Sequence, residues 1–181
     1  MPRINPLPGS NLNAPVEKAF EQHVLKFDTR ITNMKATLGH SLLAFEVYMH
    51  WYPLYKSVEK ILGRRLAYLY AYSISHASNC PLCTTFFRKI IIDAGERPER
   101  LELSEQEHNV IDFGAAIAEH KGNIANHVYR LVAQYYSDEE MVVLIAFAGQ
   151  MIATNIFNNV IETDIDDYLK EYTPVFLKAC L

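Results

Sequence analysis

The sequence predicts an all-α fold, a single helical-bundle domain, on three observations. Only 7 Gly and 8 Pro punctuate 181 residues, apolar residues recur every three or four positions, and no segment alternates apolar and polar residues between hairpin turns. With 50% hydrophobic and 21% charged residues, a chain of this length buries roughly 70% of its unfolded surface without a disulfide scaffold or a structural metal.

Residues 1–13, carrying Pro2, Pro6 and Pro8, read as an extended arm, and 14–181 as the helical domain. Val16, Phe20, Val24 and Phe27 mark one face of a helix over Ala14 to Phe27, and Ile31, Met34 and Leu38 continue the pattern behind Asp28 and Thr29. The apolar stretch from Ser41 to Ile61 is expected to break at Pro53, which lacks a backbone donor. A Tyr-rich helix follows from Arg64 to about Ser75, and another from near Asn79 to Gly95. Ser104 with Glu107, and Ser137 with Glu140, make two S-x-x-E capping patterns. They open a helix to about His120 and the apolar run from Met141, expected to be the buried central helix, with a further helix from Asn123 to Tyr135 between them.

Seventeen Lys and Arg against 21 Asp and Glu leave no excess for nucleic acid or an anionic membrane. The apolar runs from Leu66 to Ile74 and from Met141 to Ile156 fall short of the ~20 residues of a spanning helix, so no membrane span is expected. The start has no apolar stretch behind a basic segment, which predicts a cytoplasmic protein.

The residues with chemistry lie between Ser73 and Cys83. Cys80 and Cys83 form a C-x-x-C that Asn79 or Cys80 caps, with Pro81 in the first turn, placing both thiols at a helix N-terminus where amides and the macrodipole favour a thiolate. Such a pair attacks as a thiolate and closes as a disulfide; the alternative is two inert cysteines packed as small hydrophobes. A zinc site needs four ligands, and only Cys80, Cys83 and His76 cluster, so no metal is expected. Tyr68, Tyr72 and His76 follow at helical spacing toward Cys80. His76 is the candidate for proton transfer or, alternatively, a cap on the chain reversal, and the tyrosines are relay candidates or core aromatics. The other histidines, His23, His40, His50, His108, His120 and His127, show no ligand spacing, Glu162, Asp164, Asp166 and Asp167 read as a solvated helix start, and Cys180 as a spectator.

Three stretches resemble the AhpD-like alkylhydroperoxidases of the carboxymuconolactone decarboxylase superfamily. These are Leu62 to Gly95 with its C-x-x-C, the opening Leu103-Ser104-Glu105-Gln106-Glu107, and Ser137 to Met141 running into Asn155-x-x-Asn158. Asn33-Met34 through His40-Ser41 is similar to the segment before the core of peroxidase-related members. The resemblance implies an all-helical, homo-oligomeric protein, a trimer or hexamer, that reduces organic hydroperoxides or disulfides without a bound cofactor. It also implies that Cys83 attacks, Cys80 resolves, and an external thiol or disulfide reductant protein regenerates the pair. Tyr68 and Phe87 stand where the family has its relay Glu and His, so His76 or Tyr72 is expected to take over the relay. The alternative from that departure is a non-catalytic or ligand-binding member of the fold.

Overall fold

The computed structural model describes residues 1–174; Cys180 lies outside them. Those residues form eight α-helices and one short 3₁₀ helix: α1 Ala14–Phe27, α2 Asn33–Leu38, α3 Leu42–Met49, α4 Trp51–Ala77, α5 Pro81–Asp93, α6 Glu105–Glu119, α7 Asn126–Ala133, α8 Asp138–Ile161, and the 3₁₀ helix Asp167–Tyr172. Both capping boxes form, Ser104 with Glu107 and Ser137 with Glu140, each side chain answering the other residue's amide. The arm before α1 is tied down by the Arg3 amide on the Ile161 carbonyl (2.8 Å) and an Arg3–Glu162 ion pair.

Two expectations are corrected. The chain breaks at His50, between α3 and α4, and not at Pro53. Pro53 instead occupies the first turn of α4, where an N–H has no intrahelical partner to lose. The real interruption of α4 is Gly63, at φ 75° and ψ 159°, a conformation that favours glycine and lets the second half of the helix turn into the core. The central helix is also not α8 but that second half of α4: Ala67, Leu69, Tyr70, Ala71 and Ile74 are fully buried, because α5, α6 and α8 pack around it. Gly114 lets α6 approach closely, since a Cβ there would sit 2.5 Å from the Tyr70 ring. Although its 24 residues are long and apolar enough to cross a bilayer, α8 is one-sided. It lays Met141, Leu144, Phe147 and Met151 on the core and leaves Val142, Ile145, Ile156 and Val160 outward.

The apolar interior divides into three. The main core joins α4 to α8. A second cluster, Val16, Phe20, Leu38, Phe45 and Met49, holds α1, α2 and α3 together. A third gathers Cys80, Leu82 and Cys83 under Leu169 of the 3₁₀ helix. One cavity is lined by residues from all three.

Candidate active site

Cys80 is the N-cap of α5, with Pro81 at its first position. Asn79 adopts the left-handed conformation (φ 50°), which its short polar side chain tolerates, and so turns the chain from α4 into α5. The Cys83 amide reaches the Cys80 sulfur at 3.5 Å. That bond, the Cys83 thiol and the Leu82 amide hold the Cys80 thiol below its ordinary range, the thiol–thiol contact contributing most. Cys83 moves the opposite way, raised by the same contact, by burial and by charge on Cys80. Of the two thiols, Cys80 is therefore the first to give up its proton and Cys83 the one that holds it longer. Asn158 Nδ2, from the last turns of α8, donates to the Cys83 sulfur at 3.3 Å.

The two sulfurs open in different directions. Cys83 lines a cavity of about 570 Å³ whose walls include Met34, Tyr48, Trp51, Tyr52, Phe86 and Met151. Its size and apolar lining match a small-molecule site. Trp51 stacks on Tyr55 (4.6 Å) and donates its indole N–H to the Met151 sulfur, so this wall is fixed. Arg30 lies over the Tyr168 ring at 4.2 Å, joining the α1–α2 connection to the 3₁₀ helix at the cavity's edge. Cys80 lines a second hollow with Pro81, Asn33, Glu162, Asp164 and Lys170, and Asn158 borders both.

Of the candidates from sequence, the structure brings Cys80 and Cys83 together and leaves the other three elsewhere. None of Tyr68, Tyr72 and His76 lines the cavity onto which Cys83 opens. Tyr68 donates to Glu96 at 2.7 Å, within a cluster where Arg65 pairs with both Glu96 and Glu107; burial, then Glu96, push its hydroxyl up to about 12. Tyr72 has its hydroxyl raised by burial and lies against His76, ring centroids 6.1 Å apart. His76 is exposed on the last turn of α4, its carbonyl accepting the Asn79 amide in the chain reversal. A helical spacing puts residues on one face, but that face of α4 runs along α5 toward Glu96 and away from the thiols' cavity. Phe87 lines the cavity as a buried ring. Among the described residues no group of three His, Cys, Asp or Glu is placed to hold a metal.

Among the polar residues that line the cavity, Asn158 and Lys35 are buried and were given no role from sequence. Asn158 faces Cys83 as above, and its Oδ1 is buried without a partner. Lys35, on α2, is 6% exposed. The only signal for Lys35 is a charge set among apolar neighbours, Met34-Lys35-Ala36-Thr37-Leu38.

No family model and no curated protein sequence matches the chain. Solved structures do. The apo debrominase Bmp8 aligns with a TM-score of 0.72 and 17% identity over 93% of this chain and 95% of that one. A Cys-to-Ala variant of Bmp8 in complex with 2,3,4-tribromopyrrole gives 0.74 and 16% over 93% and 94%. An uncharacterized peroxidase-related protein from Silicibacter sp. TM1040 gives 0.68 and 14% over 90% and 91%. At these identities the likeness is one of architecture, and together with the helix order above it establishes that this chain has the all-α AhpD-like fold.

Proposed function

We propose that the protein is a dithiol oxidoreductase that passes two electrons from Cys80 and Cys83 to an electrophile held in the aromatic cavity. The observation that carries this reading is the division of the pair: Cys83, held by Asn158, opens on the cavity, and Cys80 on a separate hollow. The proton on Cys83 passes to Cys80, leaving a Cys83 thiolate to which Asn158 donates. With a hydroperoxide, the Cys83 sulfur takes the terminal oxygen, the O–O bond breaks, and the departing alkoxide takes the proton from Cys80 and leaves as the alcohol. The Cys80 thiolate so formed attacks the sulfenic sulfur, and the displaced hydroxide leaves as water with a proton from solvent. Two thiols become one disulfide, ROOH becomes ROH and H₂O, and an external thiol or disulfide reductant meets the pair from the Cys80 side.

The same stoichiometry serves a halogenated aromatic ring, where Ar–X and two thiols give ArH, H⁺, X⁻ and the disulfide. Bmp8 is a debrominase, and the lining of Trp51, Tyr48, Tyr52 and Phe86 suits a ring better than a linear chain. Aromatic electrophiles are therefore the expected substrates, cumene hydroperoxide ahead of tert-butyl hydroperoxide and 2,3,4-tribromopyrrole beside it.

The test is to mix fully reduced protein with each compound and follow intact mass. Loss of two hydrogens within seconds to minutes, absent in Cys80→Ser and Cys83→Ser, is the expected result. If no compound produces the disulfide while a control peroxidase reacts, the dithiol reading fails. The second reading, a ligand-binding protein without turnover, then stands on Phe87 at the relay position and on the absence of Tyr68, Tyr72 and His76 from the cavity.

A further inference from the structure

The cavity contains a buried cation that neither thiol requires. Lys35 Nζ donates to Thr29 Oγ1 (3.1 Å) and to the Arg30 carbonyl (2.7 Å), and it lies 5.2 Å from the Tyr52 ring centroid. An ammonium has three N–H donors, so two are used on neutral oxygens and one is left. No carboxylate comes within ion-pair distance of it among the described residues. Asp166, which accepts the Asn33 amide at 2.9 Å, acts on Lys35 from beyond ion-pair distance, and Arg30 opposes that influence in part. A buried charge without a directly paired carboxylate is costly unless hydrogen bonds or a bound anion compensate it.

We infer that Lys35 is the anion subsite of this cavity, and that the ligand is a one- or two-ring aromatic acid whose carboxylate or phenolate oxygen meets the ammonium while its ring lies against Trp51 and Tyr52. The inference deepens the proposed function by naming the substrate class, but the subsite is defined by binding alone. Two observations support it beyond the missing counter-ion. The rings next to Lys35 are rigid, since Tyr52 stacks on Phe27 at 4.5 Å and Trp51 on Tyr55. Of the other cations that line the cavity, Lys89 is paired with Asp93 and Arg30 is exposed over the Tyr168 ring, leaving Lys35 as the buried cation for an incoming anion. The titratable and charged groups that face Lys35 are Arg30 of the loop after α1, His23 of α1, Tyr52 of α4, and Asp166 before the 3₁₀ helix; Lys26 acts on His23, and Tyr168 on Asp166 and Arg30. Burial lowers Lys35 to about 8, so it is still protonated at neutral pH.

The probes are 2-naphthoate and its neutral isostere 2-naphthamide, titrated calorimetrically into the reduced full-length protein. The carboxylate is expected to bind at least about tenfold more tightly than the amide, as a charge-assisted hydrogen bond in a dry site provides. Lys35→Met should abolish that preference by weakening the carboxylate alone, and its Tm should equal or exceed the parent's. In the unmodified protein the same preference should shrink as pH rises from 7 to 10 and the ammonium is lost. Equal affinities for the two probes, a preference that survives Lys35→Met, or a preference that does not change with pH overturns the subsite. A Lys35-dependent preference without disulfide formation by any electrophile retains the subsite and removes the dithiol reading, whereas turnover without preference does the reverse.

Discussion

The α4–α8 core and the N-terminal helices α1–α3 are both buried, but they bury different chemistry. The core is apolar: Leu69, Phe113, Leu144 and Phe147 fill it, and its fully buried Tyr70 hydroxyl is satisfied by the Leu144 carbonyl at 3.2 Å. The N-terminal unit closes His23, Lys35 and Thr37 among Phe20, Phe45 and Tyr52. An apolar core fixes the frame that holds the C-x-x-C, and the polar wall against it is the part proposed to select what the cavity accepts. Stability and selectivity are thus expected to respond to different substitutions.

The largest effect is at the boundary between the two. Cys83→Ser should abolish turnover, while in Cys80→Ser the Cys83 sulfur should still attack substrate once and then be unable to close the disulfide, leaving an oxidised or adducted Cys83 that intact mass distinguishes. Next comes the core. Phe113→Ala should cost about 3–5 kcal/mol in denaturant unfolding, because a fully buried ring leaves a cavity that helices α4 and α6 cannot close, and survivors should keep their probe selectivity. Asn158→Leu removes the donor on the Cys83 sulfur while filling similar space. The rate of disulfide formation should fall at least about tenfold, and its pH profile should move upward, since a thiolate without that bond is harder to form; a purely structural role would leave the profile in place.

A smaller effect separates the regions by pH. His23 is lowered from 6.5 to about 4, first by burial and then by Lys35 and Lys26, and its Nε2 has no hydrogen-bond partner. The unfolded chain takes up a proton below 6.5 while the folded one resists until about 4, so stability falls across that window as pH falls. Urea titrations at pH 7 and pH 5 should register this loss, and His23→Leu should flatten it. Smallest is Ser104→Ala, expected to cost ~1 kcal/mol by removing one half of the α6 capping box, without effect on either thiol.

Local signals were legible in the sequence because they act within one turn. The boundaries of α1, both capping boxes and the Cys80 cap followed by Pro81 are set by neighbours three or four residues away. The His50 break was not legible, since a proline is harmless in the first turn of a helix and disruptive only further in, and the periodicity does not say which turn it occupies. Nor was the relay. Tyr68, Tyr72 and His76 share a face as their spacing requires, yet whether that face meets Cys83 depends on how α4 and α5 run past each other.

By itself the sequence determined an all-helical chain and a pair of thiols at the start of one helix, because helix periodicity, capping and the C-x-x-C spacing are properties of consecutive residues. Only the tertiary structure decided which sulfur opens on which hollow, and that Lys35, Cys83 and Asn158 share a site. Those residues lie on α2, α5 and α8. Contacts between distant segments arise from the packing of whole faces, and a pattern confined to one helix carries no record of its partner.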